Sequence, residues 1–366
     1  MRESKPRKWI SVTGIILAIF TLSCEKDDPP TLTTAEVTEI TLNSATSGGN
    51  ITDDGGAEIT ARGVVWSTAE NPTVDNNHGK TIDGIGKGEF TSDITGLTPG
   101  TTYFVRSYAV NSSGTAYGNQ LSFITDFEDG TFGTVTDIEG NEYKTVWIGG
   151  REWMAKNLHT TKYNDGTAIP TGHSYAQWGV LTTGAYSVYP HSELDGLNSD
   201  ADVLEAYGAL YNWYAVKTGN LCPTGWSVPT DEEWTELVDY LGAQGYPNEA
   251  SNINGPGNAL KSCRQLGSPL GGDCNTGTHP RWNSHSTHYG TDAFGFSALP
   301  GGNRSDREYE SHYFSAGSGG SWWSSTEYSA TNIWMRFMLI QTGMVIRSNA
   351  SRKGSGLPIR CIRDNL

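Results

Sequence analysis

No uninterrupted apolar run in this 366-residue sequence reaches 18 residues, which excludes a polytopic helical membrane protein. Basic residues are few: 25 Lys and Arg face 40 Asp and Glu, a net charge of −15. Such a surface repels phosphate backbones, so nucleic acid is excluded as a partner. Methionine is scarce, at five residues, and cysteine equally so. No C-x-x-C pair, G-x-S-x-G elbow or H-E-x-x-H helix occurs, so the usual zinc, serine-hydrolase and zincin frameworks are missing. What is abundant is glycine, with 45 residues, and aromatic side chains, with 12 Trp, 17 Tyr and 10 Phe. That composition predicts a well-filled core built on turn-rich β structure.

The N-terminus predicts the compartment. Arg2, Lys5, Arg7 and Lys8 precede an apolar stretch from Trp9 to Leu22, too short to span a bilayer and proportioned like a signal-peptide core. It ends in Thr21-Leu22-Ser23-Cys24, which resembles a bacterial lipobox with Thr21 where Leu is usual. The expectation is a signal peptide over 1–23 and lipidation at Cys24. An acidic tether over 24–30 follows, and its Glu25-Lys26-Asp27-Asp28 resembles the surface-export signal of Bacteroidetes lipoproteins. The protein is therefore expected on the outer membrane, lipid-anchored and facing outward.

The four remaining cysteines, Cys222, Cys263, Cys274 and Cys361, all lie in the C-terminal half. In an exported chain they read as two disulfides with three possible connectivities. Cys263 and Cys274 flank a short Gly-rich loop and could clip it, in which case Cys222 and Cys361 bracket the domain.

Residues 31–125 contain no cysteine and alternate short β-prone runs with Gly, Asn and Asp turns: Glu58–Trp66, Gly88–Ile94, Thr101–Val110 and Gln120–Thr125. This predicts a β-sandwich. Leu97-Thr98-Pro99-Gly100 leads into Tyr103, with Val105 and Ala109 on the same strand face, the pattern of a tyrosine corner. The stretch resembles the fibronectin type III family, and Gly114–Gly118 with Phe123–Thr125 fits as its final hairpin. With no Arg-Gly-Asp triplet, the implied role is a spacer.

Residues 126–131 read as an acidic, Gly-containing linker, and 132–366 as the second domain. Two hairpins are predicted at its start, turning at Glu139-Gly140-Asn141 and at Gly149-Gly150. The clearest helix runs from Pro229 to Gly242: Thr230 and Glu233 form a capping box, and Trp234, Leu237, Val238 and Leu241 share one face. A second helix is predicted over Asp202 to Val216.

Six blocks then make a set: Trp147-Ile148-Gly149 with Trp153–Leu158, Gly208–Trp213, Cys222–Thr230 with Glu233-Trp234, Gly295–Arg304, Trp322–Thr326 and Ile359–Asp364. In this order they resemble the Fibrobacter succinogenes major paralogous (FISUMP) domain of bacterial surface lipoproteins. The resemblance implies an export-associated domain without a defined activity. A more distant likeness is to C-type-lectin-like folds, including the formylglycine-generating enzymes. Those pair an early cysteine with the terminal strand, which implies Cys222–Cys361 and Cys263–Cys274. The expected fold is thus a β-rich two-domain protein, a fibronectin type III-like β-sandwich followed by an α+β C-type-lectin-like domain.

Neither chemistry of that wider group carries over. The oxidase needs a reactive cysteine pair just before the last strand, where Met344–Lys353 has none. The calcium-dependent lectin triplet Glu-Pro-Asn or Gln-Pro-Asp is absent, and Trp282-Asn283 is followed by Ser284. Asp195, Asn198, Asp200 and Asp202 are weak candidates for a calcium, lacking EF-hand spacing. His279, His285, His288 and His312 sit in a Gly/Ser/Thr-rich loop rather than a rigid frame. The expectation is no enzyme and no cofactor.

Metal-free recognition fits better, because aromatic faces stack on sugars while Asn and Arg bond their hydroxyls. The candidates are Trp282, Tyr289, Asn303 and Arg304, then Arg307, Tyr309, Trp322 and Trp323. Trp322 and Trp323 adjoin on a strand, so one is expected in the core and the other exposed. The reading is non-catalytic recognition of a polysaccharide or a protein partner. An envelope assembly role is second, and a formylglycine-generating-like or hydrolytic enzyme a distant third.

Overall fold

The computed structural model describes residues 27–250, 252–307 and 312–364. The expected signal peptide over 1–23, Cys24 and Tyr309 lie outside these residues. The chain divides into two compact units between Thr125 and Asp126.

The first unit has eight strands: β1 (Thr31–Thr34), β2 (Ser44–Asp53), β3 (Ala61–Ser67), β4 (Gly79–Lys80), β5 (Gly88–Thr95), β6 (Thr102–Asn111), β7 (Gly114–Tyr117) and β8 (Leu121–Ile124). One sheet is ordered β1-β2-β5 and the other β4-β3-β6-β7, with β8 also on β6. Inward side chains of both sheets, among them Ala45, Val64, Trp66, Ile94, Val105 and Phe123, meet between them, joined by Leu97 from the loop after β5. Each fully buried Val or Leu contributes about 1.5–3 kcal/mol there. Tyr103 is buried and its hydroxyl accepts from the Thr98 amide at 3.1 Å, which closes the tyrosine corner. This is the strand order of a fibronectin type III-like sandwich.

Two local expectations change. β7 and β8 do not form a hairpin with each other; they lie end to end along one edge of β6, at Tyr108–Asn111 and Thr102–Val105. The end of the acidic tether also belongs to the sandwich, because the Asp28 amide donates to Gly55 O and its carbonyl accepts from Asn111 Nδ2.

The second unit opens with β9 (Phe132–Thr136), β10 (Glu142–Ile148) and β11 (Arg151–Met154). The β10–β11 turn uses Gly149 and Gly150, both at positive φ (60° and 75°), as a tight hairpin with a right-handed strand twist requires. Residues 126–131 are not a free linker. Phe127 stacks on Trp147 at 4.4 Å, Gly130 N donates to Trp147 O, and the Asp129 carboxylate accepts from Gly149 N and Tyr240 Oη. An aromatic and an acceptor within an otherwise linker-like stretch are enough to dock it, so this unit begins at Asp126 rather than 132.

Short strands β12 (Tyr186–Ser187), β13 (Leu210–Asn212) and β14 (Trp226–Ser227) follow, with helices α1 (Tyr175–Trp178), α2 (Asp200–Tyr207), α3 (Trp213–Val216), α4 (Asp231–Ala243) and α5 (Pro256–Leu260). The single helix expected over Asp202 to Val216 is broken in two. Gly208 turns at φ 81°, and an added Cβ there would meet Asn157 Cβ at 2.7 Å. Leu210–Asn212 is then free to pair as β13, and the Asn212 side chain caps α3. Helix α4 keeps the predicted capping box and buries Trp234, Leu237, Val238 and Leu241.

The C-terminal third supplies β15 (Gly301–Arg304), β16 (Tyr313–Ala316), β17 (Gly319–Glu327), β18 (Asn332–Leu339), β19 (Ile346–Arg352), β20 (Gly356–Leu357) and β21 (Ile362–Arg363). One sheet runs β14-β21-β11-β10-β9. The other runs β12-β13-β20-β15-β17-β18-β19, with β16 on β15. Cys222–Cys361 and Cys263–Cys274 are the two disulfides. Among the described residues no helix is long and apolar enough to cross a membrane.

Candidate ligand cleft

The seven described candidate side chains do not form one site. Trp322 and Trp323 do face opposite sides of β17, but both sides are covered. Trp322 joins a cluster with Trp153, Trp234 and Phe296, and its Nε1 donates to Asn157 Oδ1 at 2.9 Å. Trp323 joins a second cluster with Tyr143, Tyr211 and both members of the Cys222–Cys361 bridge, and its Nε1 donates to Tyr211 O at 2.8 Å. Alternation predicted the opposed faces correctly, whereas a second apolar layer removed the exposed one. Trp282 is also core, its Nε1 donating to Ala298 O. Tyr289 is half-buried and does not line the cleft described next. Exposed aromatic surface of this unit lies instead at Phe132 and at Tyr328, the latter edge-on to Trp334, whose ring carries the Arg347 guanidinium at 3.8 Å.

Asn303, Arg304 and Arg307 do come together, at one side of an open cleft of about 500 Å³. The cleft exists because β20 pairs with β15 at Arg304 and Gly356, which brings 350–357 beside 303–307. Gly356 makes the approach possible, since a Cβ there would lie 3.1 Å from Arg304 Cβ, and Gly302, at φ 65°, lets β16 come close on the other side, where a Cβ would lie 2.4 Å from Phe314 O. The far wall holds Ala350, Ser351 and Arg352 of β19.

Arg304 is the unusual member. Its residue is only 5% exposed, yet among the described residues no carboxylate pairs with it. Its Nη2 donates to His173 O at 2.9 Å, and its guanidinium carbon lies 4.2 Å from the Trp178 ring centroid and 5.4 Å from that of Tyr313. Nε has no partner. Burial pushes the guanidinium below its ordinary value, and only the Tyr313 hydroxyl works in the other direction. Among the described residues the one acid in the cleft, Asp306, lies 3.7 Å from Arg352 Nη1. Three serines, Ser305, Ser351 and Ser355, line the same space; Ser305 bonds to the Arg307 backbone and Ser351 to Met335 Sδ. Sequence reasoning missed Asp306, Ser351 and Arg352. The only available signal was the clustering of Arg347, Arg352 and Lys353 in an acidic chain.

The weak calcium candidates turn to separate partners. Asp195 bonds His279 Nε2 and Arg281 Nη2, Asp200 bonds His191 Nδ1 at 2.6 Å, and Asp202 accepts from the Asn198 amide. His279 Nδ1 in turn meets the Tyr207 hydroxyl, His285 Nδ1 accepts from the His288 amide, and His312 stacks on Tyr175. Among the described residues no group of three or more His, Cys, Asp or Glu is arranged to hold a metal ion.

With this geometry in view, the family assignment follows from the sequence match. The model of the Fibrobacter succinogenes major domain matches residues 146–363, more than half of the chain. The chain belongs to that family. Its blocks are the core and cleft elements: Trp153 and Trp234 pack together, the segment ending in Asn303-Arg304 forms one cleft wall, and Cys361 closes the larger disulfide. No curated protein matches the chain. Among solved structures it is similar to the sensor domain of the anti-sigma factor RsgI4 of Pseudobacteroides cellulosolvens, at 17% identity over 28% of this chain and 98% of that one, with a TM-score of 0.21. A human fourth fibronectin type III domain matches at 22% identity over 32% of this chain and 93% of that one, with a TM-score of 0.23. The twitchin kinase region of C. elegans matches at 17% over 32% and 20%, with a TM-score of 0.19. Scores this low carry no weight, so the sandwich assignment of the first unit stands on its strand order.

Proposed function

We propose that this Fibrobacter succinogenes major domain protein is a lipid-anchored outer-membrane surface protein whose second unit recognises an extracellular ligand without chemical turnover. The observation that carries the reading is the open cleft, where an amide, three guanidiniums and three hydroxyls converge beside apolar Met335 and Leu357. Such a mixture suits hydroxyl-rich or acidic groups of a polysaccharide, or a protein partner. The Ser305 and Ser351 hydroxyls bond to backbone and thioether rather than to a base, which supports binding over nucleophilic catalysis. Two disulfides suit an oxidising compartment, and the lipobox-like end at Cys24 supports the anchor. Strand β21 pairs with β11 and β14, and the neighbouring Cys361 is tied back to Cys222, an arrangement in keeping with a C-type-lectin-like unit.

Assembly into an envelope scaffold is disfavoured by the edge strand β19, which carries Arg347 and Arg352; charge on an exposed edge opposes pairing with a second copy. The test is a glycan-array screen of the full chain, in calcium and in chelator. Binding in both conditions supports the cleft. Loss on chelation moves the site to the Asp195–Asp202 loop, and silence in both overturns polysaccharide recognition.

A further inference from the structure

We propose that the ligand of this cleft is an acidic polysaccharide, whose carboxylate or sulfate group seats against Arg304 between Arg307 and Arg352. The inference rests on the recognition reading above and names the class of ligand for it.

The first argument is local charge. The protein as a whole carries −15, yet among the described residues the cleft gathers three arginines against one aspartate, and that aspartate faces Arg352. A basic cleft on an acidic surface focuses attraction for anions at one place while the rest of the surface repels them. The second argument is the state of Arg304. A buried guanidinium without a counter-charge is costly unless its donors are met. Here Trp178 and Tyr313 lie over the guanidinium, whereas a single bond, to His173 O, is made by its five N–H groups among the described residues. Rings satisfy the faces of a guanidinium and leave its edges unmet, and the group that meets an edge best is a planar or tetrahedral oxyanion held by two parallel bonds. The third argument is the exposure of the flanking charges. Arg307 is exposed and the Arg352 side chain is 46% exposed, so both can swing onto a polymer lying across the cleft.

The experiment titrates the full chain with polygalacturonate, dextran sulfate, polyglutamate and neutral dextran, at low and raised salt. The variants are R304Q, R304K, R307Q and R352Q. An acidic polysaccharide is expected to bind and neutral dextran to fail, with salt weakening the former. R304Q is expected to lower affinity about 10- to 100-fold, as loss of a charged hydrogen-bond partner does. R307Q and R352Q are expected to lower it several-fold at unchanged melting temperature. Should R304Q fail to fold, R304K, which keeps the charge and loses the fork, and R307Q decide. Preference for polygalacturonate or for dextran sulfate distinguishes carboxylate from sulfate ester, and either supports the inference. Equal binding of dextran, weakened by the same variants, would overturn the acidic ligand and leave cleft recognition standing. Acidic polymer binding untouched by all four variants would overturn the site. Binding of polyglutamate alone would replace polysaccharide by protein, and no binding at all would remove both readings.

Discussion

Arg304 and Arg360 are both buried arginines in the second unit, and they are buried differently. Arg360 is wholly enclosed, and its guanidinium donates to Asn157 Oδ1, Met154 O, Phe296 O and Ser297 O. Four acceptors from two chain segments close around it, so it acts as an internal tie between the last strand and the core. Arg304 has one carbonyl, two rings and an open cleft beside it. The difference teaches that burial alone does not mark a functional charge. A satisfied buried guanidinium holds the fold together, and an unsatisfied one beside open space is available to a ligand.

The comparison breaks first at Arg360. R360M is expected to destabilise the second unit by about 3–5 kcal/mol, because four acceptors lose their donor in the interior. Chemical denaturation reads this directly, and a loss under about 1 kcal/mol would show that the tie is replaceable. Next in size is the Cys222–Cys361 bridge, which closes a 139-residue separation. The C222A/C361A double variant is expected to lose about 2–5 kcal/mol, while C263A/C274A, spanning 11 residues, loses less by the loop-entropy argument.

A third test uses the ion cluster at the start of α4. Burial pushes the Asp231 carboxyl up, but bonds to Arg347 and the buried Arg336 outweigh it and hold the group below its ordinary value of 3.8. A carboxyl depressed in the folded state contributes stability above its unfolded pKa and loses it as pH falls through the folded one. The wild type should therefore lose stability on acidification below about pH 4, where protonation of the unfolded chain sets in. D231N should lack this component of the acid slope and cost about 3–5 kcal/mol at neutral pH, since Arg336 is left unpaired. Equal acid slopes in the two proteins would refute the assignment. The smallest effect sharpens the comparison from its other side. R304Q is expected to change stability by no more than about 1 kcal/mol, because it removes a charge whose donors were mostly unmet. A loss as large as that of R360M would make Arg304 a second structural tie.

Legibility from sequence was uneven for identifiable reasons. Helix α4 was readable because its cap, its dipole-facing acids and its apolar stripe lie within 13 residues and agree. The tyrosine corner was readable because it, too, is local. The break at Gly208 was not, because propensity favours one helix through Asp202–Val216 while β12 and β20 claim Leu210–Asn212 from a distance. Asn303, Arg304 and Arg307 were singled out as a loop-rich segment with Asn and Arg, and these three of the seven described candidates share the cleft. Trp282, Trp322 and Trp323 were misplaced because strand alternation says which way a side chain points and nothing of what covers it.

By itself the sequence determined the elements whose causes are adjacent in the chain: capped helix, glycine hairpins, sandwich strands, and the cysteine framework once family likeness chose among its pairings. Tertiary structure alone decided which charges are satisfied. Arg304 and Arg360 are both arginines followed by small residues, and nothing near either in sequence distinguishes them. The carbonyls that close around Arg360 come from residues 154, 296 and 297, and the strand that opens the cleft beside Arg304 comes from 346–352. Hydrogen-bond satisfaction is set by neighbours in space, so it becomes visible only when the chain has folded.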